Sequence, residues 1–284
     1  MIHLERMTYY RTFILNLCLM ALFSAINPVL ASAAASNSGG TTTAVPKIPY
    51  EYPFTDPILS QRLSSTPVFI ELFTSLDCLF CPRAEKLLHD MSMRTRVVFL
   101  ACHTDPEGAQ YPLGRGVCSD RQARYAERLS DGLMYTPQMV INGHVDAVGH
   151  EFDDVALALD RALDDQPIVL GLKPASEESV YTLTLPETKL APADGADLLL
   201  ATYRAPYQVP KTMRQSLQRP GPMGHIVDRI VPLSSWDGRA KTMPVSFAPS
   251  EVVAGFIVMV QRNDGKIIGA IDSASIITAS SPAP

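Results

Sequence analysis

The pattern of apolar and polar positions changes character several times along the chain. An apolar run from Thr12 to Leu30, with Leu15, Leu17, Leu19, Leu22 and Phe23, gives way to Ala, Ser, Gly and Thr from Ala34 to Val45, without charge or periodicity. Val68 to Phe73 is almost continuously apolar and short, which suits a strand buried on both faces. Ala84, Leu87, Leu88 and Met91 then fall at i, i+3, i+4 and i+7, the period of a helix with one buried face. Pro82 sits where a first helical turn tolerates it. Val97 to Ala101 predicts a second buried strand. Pro106, Gly108, Pro112, Gly114 and Gly116 predict a long loop from Thr104 to Cys118. Ser119 and Gln122 have capping-box spacing for a helix to about Leu129. Gln138 to Asn142 reads as a third strand, closed by the turn signal Asn142-Gly143. Asp153 or Asp154 is expected to cap a helix whose stripe is Val155, Leu159, Ala162 and Leu163. Strand and helix thus alternate three times, the order of an α/β fold.

After Gln166-Pro167 helical periodicity disappears. Seven short β-rich runs follow: Ile168 to Leu172, Val180 to Leu185, Leu198 to Tyr203, Val227 to Val231, Met243 to Phe247, Gly255 to Gln261, and Ile267 to Ile271. Asn263-Asp264-Gly265 is a hairpin turn between the last two. A small sandwich or barrel is expected here, with a boundary near Asp165 to Pro167.

Charge and cysteine usage sharpen this picture. Arg6 and Arg11 precede the first apolar run, and Ala31-Ser32-Ala33 follows it, which is the anatomy of a cleaved export signal. The chain therefore reads as a signal peptide (1–33), a flexible tether (34–65), an α/β domain (66–166) and a β-rich domain (167–278). A periplasmic or secreted protein is expected, touching a membrane only through the leader if that stays uncleaved. The net charge of −5 over 284 residues offers no electrostatic footprint for nucleic acid. Of five cysteines, Cys18 lies in the leader, and the remaining four suit an oxidising compartment.

The candidate chemistry lies in Cys78-Leu79-Phe80-Cys81, directly after a buried strand and directly before a helix. A helix N-terminus presents unpaired N–H groups and partial positive charge, both of which favour a thiolate over a thiol. Cys78, at the exposed turn, is expected to be the nucleophile and Cys81 the resolving thiol of a disulfide-exchange cycle. Two other readings remain open. Cys78, Cys81, Cys102 and His103 are a possible zinc or copper(I) donor set, although no second Cys-x-x-Cys exists for a zinc ribbon. Alternatively the pair staples an interaction module that has no catalysis of its own.

Three motifs in order carry a resemblance: Glu71-Leu72-Phe73-Thr74-Ser75, then Cys78-x-x-Cys81-Pro82, then Tyr135-Thr136-Pro137-Gln138-Met139-Val140-Ile141-Asn142-Gly143. With Arg121-Gln122, Tyr125 and the C-terminal Val258-x-Val260-Gln261, they resemble the secreted family catalogued as domain of unknown function 1223. That resemblance implies a thioredoxin-like domain followed by a small β-rich, sandwich-like domain. It also implies a cis bond before Pro137, with the loop against the two sulfurs and the backbone of Thr136 pairing with an extended substrate. The sequence departs from the family in two places. Leu79 and Phe80 stand where small residues are usual, and Pro106-Glu107-Gly108 follows His103-Thr104-Asp105 in place of an aromatic stretch.

The expected function is thiol–disulfide exchange with protein or small-molecule thiols, requiring no cofactor. Cys102 and Cys118 are expected to form a structural disulfide closing the loop, in preference to a second redox pair. In the chain-entropy model such a loop contributes about 3 kcal/mol. Glu71, in the buried strand, is either a proton acceptor for the resolving thiol or a salt-bridged structural carboxylate. Asp77 disfavours and Arg83 favours a Cys78 thiolate. His103 reads as a structural strand-end residue, with a proton relay as the competing role.

Overall fold

A computed structural model of the chain describes residues 52–108, 112–192, 195–208 and 223–279. The expected leader and residues 34–51 of the tether lie outside the described residues. Residues 57–65, expected to belong to the tether, instead form a helix, α1 (Pro57–Ser65), started by Asp56. Asp56 Oδ1 accepts from the N–H groups of Ile58 and Leu59, both at 2.8 Å, and Pro57 fills the first turn. Leu63 anchors this helix in the core.

The alternating half of the chain forms β1 (Val68–Thr74), α2 (Cys81–Arg94), β2 (Val97–His103), α3 (Gly116–Leu129), β3 (Gln138–Ile141), β4 (Val145–Val148) and α4 (Phe152–Ala162). β1 and β2 run parallel, with Val68 opposite Val97 and Thr74 opposite His103. β3 is antiparallel to β1, and β4 is antiparallel to β3. All of β1 is buried, and its side chains alternate between two cores. Val68, Ile70 and Leu72 pack with Ala84, Leu87, Leu88 and Met91 of α2 and with Val155 and Leu159 of α4. Phe69 and Phe73 pack on the other face with Cys118 and Tyr125 of α3.

Local details differ from expectation at three helix or strand ends. α3 begins at Gly116 with Arg115 as its N-cap, so Ser119 is not a cap; its hydroxyl turns to the Thr104 carbonyl at 3.4 Å. α4 is preceded by Glu151, which leaves Asp153 and Asp154 in the first turn, where the helix dipole favours negative charge. β4 was not expected. It exists because Asn142 (φ +46°) and Gly143 (φ +70°) take left-handed conformations in the three-residue connection from Ile141 to Val145, where the His144 N–H donates to the Ile141 carbonyl at 3.2 Å.

The β-rich half supplies β5 (Gly171–Pro174), β6 (Val180–Leu185), β7 (Ala196–Arg204), β8 (Ile226–Trp236), β9 (Lys241–Ser246), β10 (Val253–Arg262) and β11 (Ile267–Asp272); a last helix, α5 (Ala274–Ala279), follows. These strands do not close on themselves beyond residue 167. Four of them extend the first sheet, whose order is β11-β10-β7-β8-β2-β1-β3-β4, and β5-β6-β9 make a separate sheet. The described residues belong to one compact unit. The expected boundary therefore separates two sequence patterns but not two sheets. The link is narrow: β8 runs parallel to β2 with Ala101 opposite Ile226, and the Ala101 N–H donates to the His225 carbonyl at 2.9 Å. The fold is a mixed α/β structure with one large mixed sheet and few helices.

From that link the wing β7–β10–β11 curls back over β1 and β3. The Ile267 N–H donates to the Asn142 carbonyl at 2.8 Å, and Ala201, Ile257 and Met259 join Phe69 and Phe73 in one core. The wing's outer face packs on the small sheet, through Leu198, Phe256 and Val258 against Leu172, Leu183 and Val245. That pairing of sheets is the sandwich-like part of the fold.

One buried charge pair crosses the interface between β1, α3 and the wing. Glu71 is fully buried, and Arg121 grips it with two hydrogen bonds, Nε to Oε1 at 2.6 Å and Nη2 to Oε2 at 2.7 Å. The Tyr125 hydroxyl donates to Oε2 at 2.5 Å, and Arg121 Nη1 donates to Gln261 Oε1 of β10 at 3.0 Å. Burial, with the carboxylate charge beside it, drives the Tyr125 hydroxyl far above its ordinary pKa, so it serves only as a neutral donor. Removing one member leaves an uncompensated buried charge. Arg121→Met is therefore expected to cost about 3–5 kcal/mol, read from urea unfolding, and Glu71→Leu combined with it to recover part of that loss. A single-variant cost under about 1 kcal/mol, the range of exposed pairs, would contradict this view of the interface.

Candidate functional site

Cys78 and Cys81 form a disulfide, with their Cα atoms 5.4 Å apart. Cys81 is the first residue of α2 and is fully buried, whereas Cys78 is half-buried in the turn before it. Phe80 occupies the N-cap position but provides no side-chain cap, so the first-turn N–H groups are not taken by a capping side chain. The Cys81 N–H uses this freedom and donates to Cys78 Sγ at 3.1 Å. A sulfur in this position gains a hydrogen bond and the positive end of a 14-residue helix when it carries charge.

The turn that presents Cys78 is held from beneath by Asp105, a residue with no role assigned from sequence. Asp105 Oδ1 accepts from the Ser75 hydroxyl at 2.6 Å and the Leu76 N–H at 3.0 Å, and Oδ2 faces His103 Nδ1 at 3.2 Å. Burial alone would raise the Asp105 pKa. The hydrogen bonds from His103, Ser75 and Leu76 outweigh it and hold the carboxyl below its usual range. His103 is fully buried at the end of β2, with Nδ1 facing Asp105 and Nε2 buried without a hydrogen-bond partner among the described residues. The spacing His103-x-Asp105 at a strand end was the available sequence signal.

Two apolar side chains beside the disulfide are exposed. Leu79 is 60% exposed and Phe80 54%. The Phe80 ring stacks on His150, with centroids 4.4 Å apart and planes 15° from parallel, and His150 Nε2 lies 3.0 Å from Glu151 Oε1. His150 follows Gly149, whose N–H donates to the Pro137 carbonyl at 2.8 Å. A Cβ on Gly149 would crowd Met139 at 3.2 Å, Ala84 at 3.3 Å and Pro137 at 3.4 Å, so the Pro137 loop lies against the first turns of α2. The Thr136-Pro137 bond is cis. Gln122 carries this loop from α3, donating to the Tyr135 carbonyl at 2.7 Å. Arg83 turns away from the sulfurs and lies over the Phe152 ring, 4.1 Å from its centroid.

The structure thus brings Cys78, Cys81 and Pro137 to one end of α2, with Thr136 adjoining. Glu71 is not among them. Its side chain leaves β1 on the α3 face, opposite to α2, where Arg121 and Tyr125 consume both oxygens. Of its two expected roles it holds the structural one, since an odd position in β1 cannot reach the even-numbered face that α2 covers. Cys102 and Cys118 are joined in a second, fully buried disulfide that ties the end of β2 to the first turn of α3. Cys102 therefore also faces away from α2, and the four residues of the conceivable metal set do not converge. Among the described residues no group of three or more His, Cys, Asp and Glu side chains has the arrangement of a metal site. His150 had no local sequence signal, because it stacks on Phe80 from seventy positions away.

The Asp105 contacts make stability depend on acid in a defined direction. A carboxyl with a lowered folded pKa stabilises fully above its unfolded pKa of about 3.9 and loses that contribution as pH falls through the lower folded value. Asp105→Asn is expected to cost about 1–3 kcal/mol at pH 7, with the gap from wild type narrowing below about pH 4. Urea midpoints measured from pH 7 to 3 test this; a gap that stays constant with pH would contradict it.

Comparison with known proteins bears on the family rather than the activity. A search of curated proteins finds no match. Among solved structures, the chain is similar to the crystal structure of protein AGR_C_4864 from Agrobacterium tumefaciens, with 22% identity and a TM-score of 0.59 over 73% of this chain and 93% of that one. It also aligns with HBP35 of Porphyromonas gingivalis at 17% identity and a TM-score of 0.46, over 77% of this chain and 79% of the other. The first of these supports the fold alone. The model of the family described as protein of unknown function (DUF1223) matches residues 69–261, so the chain belongs to that family.

Proposed function

We propose that the protein is an exported thiol–disulfide oxidoreductase whose reactive pair is Cys78–Cys81, carried on a thioredoxin-like arrangement of β1, α2, β2 and the Pro137 loop. The observation that carries this reading is the asymmetry of the pair. Cys78 is half-exposed and receives the Cys81 N–H at the N-terminus of α2, while Cys81 is fully buried beneath it. A stapling disulfide needs neither feature; Cys102–Cys118, buried at both ends, has neither.

From the oxidised form, a substrate thiolate attacks Cys78 Sγ. The Cys78–Cys81 bond breaks, a mixed disulfide forms, and Cys81 leaves as a thiolate that takes up a proton. The second substrate thiol, deprotonated, then attacks the mixed disulfide. Cys78 leaves as a thiolate stabilised by the Cys81 N–H and the helix end. The substrate gains a disulfide and the protein receives its two electrons; with a disulfide substrate the same steps run in reverse. Leu79 and Phe80 place apolar surface beside the reacting sulfur, which suits substrates whose cysteines are flanked by apolar groups. The two disulfides are compatible with an oxidising compartment, and among the described residues no helix is long and apolar enough to cross a membrane.

Insulin reduction by dithiothreitol tests the proposal. Wild type is expected to accelerate precipitation, Cys78→Ser to lose the effect, and Cys81→Ser to accumulate adducts through Cys78 on a non-reducing gel. No acceleration by wild type, with thermal stability unchanged in Cys78→Ser, would overturn it. Adducts in Cys78→Ser in place of Cys81→Ser would reverse the roles.

A further inference from the structure

Arginines converge on the side of α3 that faces the β10–β11 hairpin. Arg121, Arg124 and Arg128 stand at i, i+3 and i+7, one face of the helix, and Arg262 enters from the end of β10. With Tyr125, Gln261 and Gly265 they line an open cavity of about 230 Å³, and Asp197 is the one carboxylate in its wall.

Their charges are unequally matched. Arg121 is neutralised by Glu71, and Arg262 reaches Asp264 through Nη2 at 2.7 Å. Arg262 Nε is buried without a hydrogen-bond partner among the described residues. Arg124 and Arg128 make no ion pair among the described residues; Arg128 lies over the Tyr125 ring, 5.3 Å from its centroid, with its guanidinium against Gly265. Two unpaired guanidinium groups one turn apart on a helix repel each other. In a chain with net charge −5 such a concentration of arginine is local, not compositional.

We propose that this cavity binds a phosphomonoester. Asp197 in the wall offsets one of the charges on Arg124 and Arg128, and a phosphoryl group, with three terminal oxygens, accepts from both guanidinium forks, whereas a carboxylate has only two oxygens to offer. The phosphoryl oxygens also supply an acceptor for Arg262 Nε. The cavity has room for an organic body beyond the phosphoryl group. Arg128, lying on Tyr125, is pre-positioned, so little of its side-chain order is lost on binding, while Arg121, held by Glu71 and Gln261, fixes the wall. The site lies on the α3 face of the sheet, opposite to α2, and does not depend on the reactivity of Cys78.

Thermal unfolding and calorimetry of the oxidised protein with glycerol 3-phosphate test the site, with sodium chloride at matched ionic strength as reference. Glycerol 3-phosphate is expected to raise Tm where chloride does not. The double variant Arg124→Ala/Arg128→Ala is expected to weaken its Kd at least tenfold, and Arg161→Ala, on α4, to leave it unchanged. Sedimentation with phosphatidylcholine vesicles containing phosphatidic acid separates the sources of the group: a response to the soluble ester assigns a free metabolite, and retention on vesicles alone assigns a lipid headgroup. Equal Tm shifts in chloride and ester without vesicle binding, or a double variant that binds as wild type does, would overturn the proposal.

Discussion

The bidentate pair between Glu71 and Arg121 is the constraint around which the molecule is arranged. A carboxylate in a strand buried on both faces is unfavourable unless a cation and further donors meet it. Arg121 and Tyr125 of α3 do so, and Gln261 of β10 accepts from Arg121 in turn, which ties β1, α3 and the wing at one point. The face of β1 that carries Val68, Ile70 and Leu72 is then left to α2 and α4. The position of α2 in turn fixes Cys81 beneath Cys78 and sets the Pro137 loop, through Gly149, against its first turns.

Much of the first half was legible because its signals are local. A continuous apolar run specifies β1 and β2, the i, i+3, i+4, i+7 spacing specifies α2, and Asn142-Gly143 specifies a turn. The seven strands of the second half were likewise legible as strands. Their destination was not. Whether β7 and β10 pair among themselves or extend another sheet depends on the single register point between Ala101 and Ile226, 125 positions apart, and no periodicity encodes that. Asp56-Pro57 marked α1 in plain view, but a helix of only nine residues has too weak a pattern to stand out.

The candidate site divides the same way. The spacing and placement of Cys78 and Cys81 were readable, and so was the greater exposure of Cys78, which lies in the turn before α2. Glu71 was ambiguous in the sequence, since its partner lies fifty positions on and its face depends on strand phase. The stacking of Phe80 on His150, the Asp105 support beneath Ser75 and Leu76, and the convergence of Arg262 on the α3 arginines are all tertiary juxtapositions. The two disulfides differ in exposure. Cys102–Cys118 is sealed among Phe73, Tyr125 and Leu100, and Cys78–Cys81 has one sulfur open to a partner.

The central claim is that the fold makes Cys78 a stabilised thiolate and Cys81 its shielded resolver. The rate of iodoacetamide alkylation against pH, with mass-spectrometric assignment of the modified cysteine in protein reduced only at Cys78–Cys81, measures it directly. The account predicts that Cys78 is modified first, with an apparent pKa well below the free-thiol value of about 8.5, and that Cys81 stays protected. Modification of Cys81 first, or of both cysteines with a pKa near the free-thiol value, would contradict it.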